Sequence, residues 1–159
     1  MIKLEITSTL KNICEKLSNT DIKWVVIGSL SLALQGVDVE PHDIDILTDK
    51  EGIYAINTLL KEYEVEGVTY EQSEFFCSYR SRYRIGNINI EVIAELEEKH
   101  NGKWVSLSDR LEDQIYVNID NLRVLISSLE KQLSSYEKSK RPQDVFKTQK
   151  IREFLGTIS

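Results

Sequence analysis

An α+β fold is the class this sequence predicts, and three observations predict it. Leu10, Ile13, Cys14 and Leu17 recur at helical spacing near the start of the chain. Short β-branched runs at 23–27 and 43–47 precede two strand-period arms, 76–85 and 88–94, which flank Gly86-Asn87, a good hairpin turn. Helical spacing then returns in the C-terminal third.

Taken in order, the first helix is expected over 9–18 and is broken by Ser18-Asn19-Thr20-Asp21. The buried strand 23–27 ends at Gly28. A short helix over 29–35, capped by Ser29 or Ser31, stops at Gly36. Pro41 marks the entry to the next strand, because proline cannot donate to a sheet ladder. That strand, 43–47, alternates, with Asp43 and Asp45 on one face and Ile44 and Ile46 on the other. Thr48 to Glu51 has the spacing of a capping box ahead of a helix carrying Ile53, Ile56, Leu59, Leu60 and Tyr63.

Strands are expected between 64 and 95, with Ile88, Ile90 and Val92 on one face and Asn89 and Glu91 on the other. The polar stretch 96–113 reads as loop, and 115–117 as a short strand. Asp120 or Asn121 would cap a long helix carrying Leu122, Leu125, Ile126, Leu129, Leu133 and Tyr136. A basic connector, Lys138 to Asp144, leads into a last helix that Pro142 opens and that runs through Phe154. One domain over 1–159 is expected, with its core at about 22–95 and C-terminal helices at about 120–155.

Composition narrows the function. The content is 41% hydrophobic and 29% charged, ordinary for a soluble globular chain. No apolar run approaches the ~20 residues that span a bilayer, and the N-terminus lacks a signal-peptide core, so the cytoplasm is the expected location. Cys14 and Cys77 have no Cys-x-x-Cys spacing and read as buried free thiols. His42 and His100 are too few for a histidine-rich metal cluster. A net charge of −6 argues against broad nucleic-acid binding, which draws on dense Lys and Arg.

The most informative pattern is Gly28-Ser29 followed, after thirteen residues, by Asp43-Ile44-Asp45. A Gly-Ser turn between strand and helix offers backbone N–H groups to an anion. Carboxylates at i and i+2 on a strand face the same way, which suits a shared divalent cation. A third acidic group on a neighbouring strand would complete such a site, and Glu91 is the choice, with Glu95 as runner-up.

These residues resemble the nucleotidyltransferase superfamily of the polymerase-β type, whose signature is a Gly-Ser or Gly-Gly turn, a helix, then Asp-x-Asp on the next strand. The tract Glu40-Pro41-His42-Asp43-Ile44-Asp45-Ile46 is similar to small aminoglycoside- and lincosamide-type members. The resemblance covers roughly 22–95, with weaker likeness out to 155. Two features depart from it: Gln143-Asp144 stands where relatives often carry Lys-Asp, and Pro41-His42 precedes Asp43 where many have arginine.

The resemblance implies a mixed, mostly antiparallel sheet with flanking helices and a C-terminal helical segment. It implies transfer of a nucleoside monophosphate from an NTP, with ATP the expected donor, to a hydroxyl, with pyrophosphate release. Asp43, Asp45 and Glu91 would be catalytic and would hold Mg²⁺ or Mn²⁺; Gly28 and Ser29 would hold the donor phosphates. The acceptor is a small molecule or a macromolecular hydroxyl, tRNA included, and a homodimer is a reasonable expectation. The rival reading is an inactive binding protein on the same fold, such as a toxin–antitoxin component.

Arg80, Arg82 and Arg84 share a strand face and are expected mainly to pair with acidic residues across the strands. Lys138, Lys140 and Arg141 read chiefly as a solvated connector. Trp24 and Trp104 read as core or rim aromatics.

Overall fold

The structure, a computed structural model, describes residues 2–158, with side chains through Gly156. Met1 and Ser159, the ends of the expected domain, lie outside the described residues. The elements run α1 (Leu4–Leu17), β1 (Trp24–Ile27), α2 (Gly28–Leu34), β2 (Ile44–Thr48), α3 (Lys50–Leu59), β3 (Glu64–Gln72), β4 (Phe76–Ile85) and β5 (Ile88–His100). Then follow β6 (Lys103–Ser106), β7 (Gln114–Ile119), β8 (Leu122–Ser127), α4 (Leu129–Glu137) and α5 (Pro142–Ile158).

The eight strands form one sheet in the order β3-β4-β5-β2-β1-β8-β7, and β6 pairs with β5. β2 lies parallel to β5, and β1 parallel to β8; the other pairings are antiparallel. The expected mixed, mostly antiparallel α+β architecture is therefore present.

Strand alternation splits the sheet into two faces. Val26, Ile44, Ile46, Ile90, Val92 and Ile126 face α1 and α3 and bury with Ile6, Leu10, Ile13, Ile53 and Ile56. Each such side chain contributes about 1.5–3 kcal/mol on burial. The opposite face carries Val25, Ile27, Leu47 and Ile93, packed with Leu96 and Leu111. That second face also carries Asp45 and Glu91, because a period of two gives them the parity of Leu47 and Ile93. Helices α2, α4 and α5 join through Leu32, Leu129 and Ile151. No helix among the described residues is long and apolar enough to cross a membrane.

Four expectations need correction. Residues 122–127 form β8, and helix begins only at Leu129. Leu122, Val124 and Ile126 also alternate, and pairing of β8 with β1 and β7 decided between the two periods. Asp120, at φ 54°, therefore belongs to a hairpin turn and caps no helix.

Nor is 96–113 mostly loop. β5 continues to His100, turns at Asn101-Gly102 with φ of 50° and 79°, and pairs with β6 before a 3₁₀ turn at Ser108–Leu111. Asn-Gly between strands is a strong hairpin signal, so this turn was readable. Asp49 caps α3 by accepting from the Gly52 N–H at 2.7 Å, whereas Thr48 is directed to the Lys23 carbonyl. Ser31 is no helix cap; its hydroxyl donates to the Gly28 carbonyl inside the first turn of α2.

Candidate active site

β-register builds the site. Ile27 at the end of β1 faces Asp45 on β2, and Asp45 sits beside Glu91 on β5. Asp43, at the bend just before β2, lines the same cavity as Asp45 and Glu91. The three carboxylates expected from sequence are thus brought together, across two adjacent parallel strands.

Gly28 is required at the turn. Its φ is +74°, a region that disfavours any side chain, and an added Cβ would lie 2.7 Å from Asp45 Oδ2. Its N–H, however, is not open to an anion: it donates to Gln132 Oε1 at 3.1 Å. Gly28 therefore acts by letting the backbone approach Asp45. Ser29 is half-buried in the first turn of α2, and its hydroxyl makes no hydrogen bond among the described residues.

Gln132 of α4 is a residue that sequence reasoning missed. Its side chain is buried and bonded at both ends, accepting from Gly28 and donating to Ser31 Oγ at 2.8 Å and to the Ser127 carbonyl at 3.1 Å. One glutamine so staples the C-terminal helices onto the Gly28 turn. A lone polar residue beside Leu133 carried no signal of that.

Asp45 is the electrostatically stressed member. Burial, then the neighbouring Glu91 and Asp43 charges, push its carboxyl from 3.8 up to about 6, against the pull of Lys147 and Arg80. Neither Asp43 nor Asp45 accepts a side-chain hydrogen bond among the described residues. Glu91 is different: its oxygens accept from Arg80 Nη1 at 2.6 Å and Arg82 Nε at 3.1 Å. Arg82 also holds Glu66 and Glu71, whereas Arg84 is directed to the Gly86 carbonyl. Cross-strand pairing is thus what two of the three arginines do.

The runner-up, Glu95, takes no part. It has φ of 53°, lies exposed at an irregularity of β5, and accepts from the Lys50 N–H.

The donor set suits a divalent cation. Two unpartnered carboxylates whose mutual repulsion a cation would relieve are the hard-oxygen ligands Mg²⁺ or Mn²⁺ takes. Among the described residues, no three His, Cys, Asp or Glu side chains already form a metal cage, consistent with Glu91 being held by arginines. Asp43 and Asp45 fit the ion, and Glu91 would join them only on turning partly away from Arg80 and Arg82.

Opposite the carboxylates, α4, α5 and the 3₁₀ turn close a cleft lined by Gly28, Asp45, Glu91, Arg110, Tyr136 and Lys147, among others. Arg141 and Asp144 line it too. Gln143 is exposed and outside it, so the cation near Asp45 on α5 is Lys147, four residues after Gln143.

A Gly turn, Asp-x-Asp and a third carboxylate on an adjacent strand of this sheet define a nucleotidyltransferase. The chain belongs to the aminoglycoside-2''-adenylyltransferase family, whose model matches residues 9–151.

Among solved structures it is similar to TM1012 of Thermotoga maritima, a proposed nucleotidyltransferase, at 34% identity over 99% of this chain and 96% of that one, TM-score 0.83. ANT(2'')-Ia, solved with adenylyl-2''-tobramycin, shares the fold at 11% identity, covering 96% and 91%, TM-score 0.63. So does the lincosamide antibiotic adenylyltransferase LnuA, solved with lincomycin, at 13% identity, covering 95% and 97%, TM-score 0.58. No curated protein sequence matches the chain.

Proposed function

We propose that this enzyme moves a nucleoside monophosphate from an NTP, with ATP the expected donor, to a hydroxyl of a small molecule, releasing pyrophosphate. The observation that carries this reading is the convergence of Asp43, Asp45 and Glu91 on one cavity, with Gly28 backed against Asp45. Asp43 and Asp45 would hold Mg²⁺ or Mn²⁺. When bound, the ion would neutralise charge on the donor phosphates.

Ser29 offers its hydroxyl to the donor phosphates, and Lys147 adds positive charge near Asp45. Glu91 orients the acceptor hydroxyl and takes its proton. A carboxylate has roughly four acceptor sites, so two arginine bonds leave it able to do so. The acceptor oxygen bonds to the α-phosphorus; the bond to the bridging oxygen breaks, and its electron pair leaves on pyrophosphate. A small-molecule acceptor is favoured by the family and by the adenylyl-2''-tobramycin and lincomycin bound to the two antibiotic adenylyltransferase neighbours.

Thermal unfolding with Mg²⁺ and each NTP tests the donor half. A stabilising shift is expected for the wild type and none for Asp43→Asn/Asp45→Asn. Absence of a shift with every nucleotide would overturn the reading. Transfer of α-³²P label to tobramycin, lincomycin and tRNA then assigns the acceptor class.

A further inference from the structure

Arg110 is the oddity of the cleft. It sits in the 3₁₀ turn between β6 and β7, only 7% exposed, because Leu111 beside it packs with Val25, Ile27 and Leu96 and draws the turn onto the sheet. Its guanidinium lines the cleft with Asp45 and Lys147, yet makes no hydrogen bond or ion pair among the described residues.

The nearby acidic groups already have partners. Glu98 binds His100 at 3.0 Å, and Asp144 accepts from Ser139 Oγ at 2.7 Å. Burial pulls the Arg110 pKa below its ordinary value, and the more distant charges of Tyr136, Glu98, Asp109 and Asp144 only partly oppose that. Its nitrogens are not sealed in the protein interior but reach the cleft without an acceptor, where a guanidinium offers five donors to an anion that enters. Lys147, from α5, points charge into the same space and is likewise without an ion pair.

We propose that Arg110 is the anion anchor of this cleft: it grips the β- and γ-phosphates of the donor and then the pyrophosphate they become, with Lys147 facing it. The proposal rests on the nucleotidyl-transfer reading and adds to it the residue that holds the leaving group. Guanidinium suits this task because its planar fork binds phosphate oxygens in pairs, and negative charge accumulates on the leaving oxygen as the α–β bond breaks.

The test is direct binding of inorganic pyrophosphate and of AMP, by calorimetry in metal-free buffer, to wild type, Arg110→Gln and Arg110→Lys. Losing charge-assisted hydrogen bonds to phosphate should weaken pyrophosphate binding about 10- to 100-fold in Arg110→Gln, with AMP binding unchanged. Arg110→Lys keeps the charge without the fork and should fall between, at about 3- to 10-fold. It also serves if Arg110→Gln does not fold.

Equal loss of pyrophosphate and AMP would mean a merely structural arginine and would overturn the proposal, as would pyrophosphate binding within twofold of wild type in both variants. Wild type that binds Mg²⁺–NTP but not pyrophosphate would sink the anchor alone. Wild type that binds neither would sink the nucleotidyl-transfer reading with it.

Discussion

Arg80 and Arg110 line one cleft under opposite circumstances. Arg80, on β4, pairs with Glu91 at 2.6 Å and Glu71 at 3.6 Å; Arg110, on the far wall, pairs with nothing among the described residues. Asp45 shows the reverse imbalance, an acidic group crowded by other acids. The strand wall around Glu91 is electrostatically complete, whereas Asp45 and Arg110 are each left short of a counter-charge. A metal–triphosphate complex carries both missing signs. The difference teaches that Asp45 and Arg110, whose charges the protein leaves unbalanced, are the groups that gain a counter-charge from ligand, whereas pairing with Arg80 and Arg82 holds Glu91 in place for the acceptor.

Gln132 offers the largest way to break that contrast, since it fixes the Gly28 turn between the two walls. Gln132→Ala removes the acceptor for the Gly28 N–H and leaves a cavity. A buried unsatisfied donor plus lost packing costs about 2–4 kcal/mol. For a chain of this size, that lowers Tm by roughly 4–16 °C. The Mg²⁺–NTP thermal shift should weaken as well, because the turn behind Asp45 is no longer held. A Tm within about 2 °C of wild type would mean that α4 does not secure the turn.

The parts legible from sequence were those that local periodicity encodes. Alternation placed Asp45 and Glu91 on the face opposite Ile46 and Val92, and the Gly28 turn followed from a strand run ending in glycine. Asp43 was legible by type although it sits at the bend before the strand.

What escaped depends on contacts far apart in the chain. Gln132 meets Gly28 across 104 positions. Arg110 is buried by a turn whose packing no window around it reveals. Leu122, Leu125, Ile126 and Leu129 satisfied helical spacing, and only pairing with β1 and β7 made Leu122–Ser127 a strand, leaving Leu129 to begin α4. Lys147 was likewise hidden, because helix α5 must be docked before a lysine one turn past Gln143 is seen to face Asp45.

Titration of Asp45 sharpens the comparison next. Its folded pKa is raised, so the folded protein holds that proton more tightly than the unfolded chain does. The resulting stability is fully present below 3.8 and is lost as pH rises through about 6. The full shift corresponds to about 3 kcal/mol, which solvent at the cleft mouth reduces to about 1–2 kcal/mol. In EDTA, Asp45→Asn should therefore unfold at the same denaturant concentration as wild type near pH 4. It should become the more stable of the two as pH rises to 7.5. A difference that stays constant across that range would remove Asp45 as a stressed carboxylate.

Glu66→Gln probes the strand wall, where the smallest effect is expected. The Arg82–Glu66 bond is short, 2.6 Å, but the side chains are 34% and 44% exposed, so water screens the pair. Arg82 would keep Glu71 at 3.2 Å and Glu91 at 3.1 Å. Exposed pairs of this kind contribute about 0.2–1 kcal/mol, and salt reduces that further. Denaturant unfolding should move by no more than that, and turnover should be unchanged, since Glu91 retains both of its arginines. A loss above about 1.5 kcal/mol, or a fall in turnover, would mean that Glu66, Glu71, Arg80, Arg82 and Glu91 act as one cooperative unit. The orientation of Glu91 would then depend on a carboxylate at the rim, and the completeness of the strand wall would itself be part of the catalytic machinery.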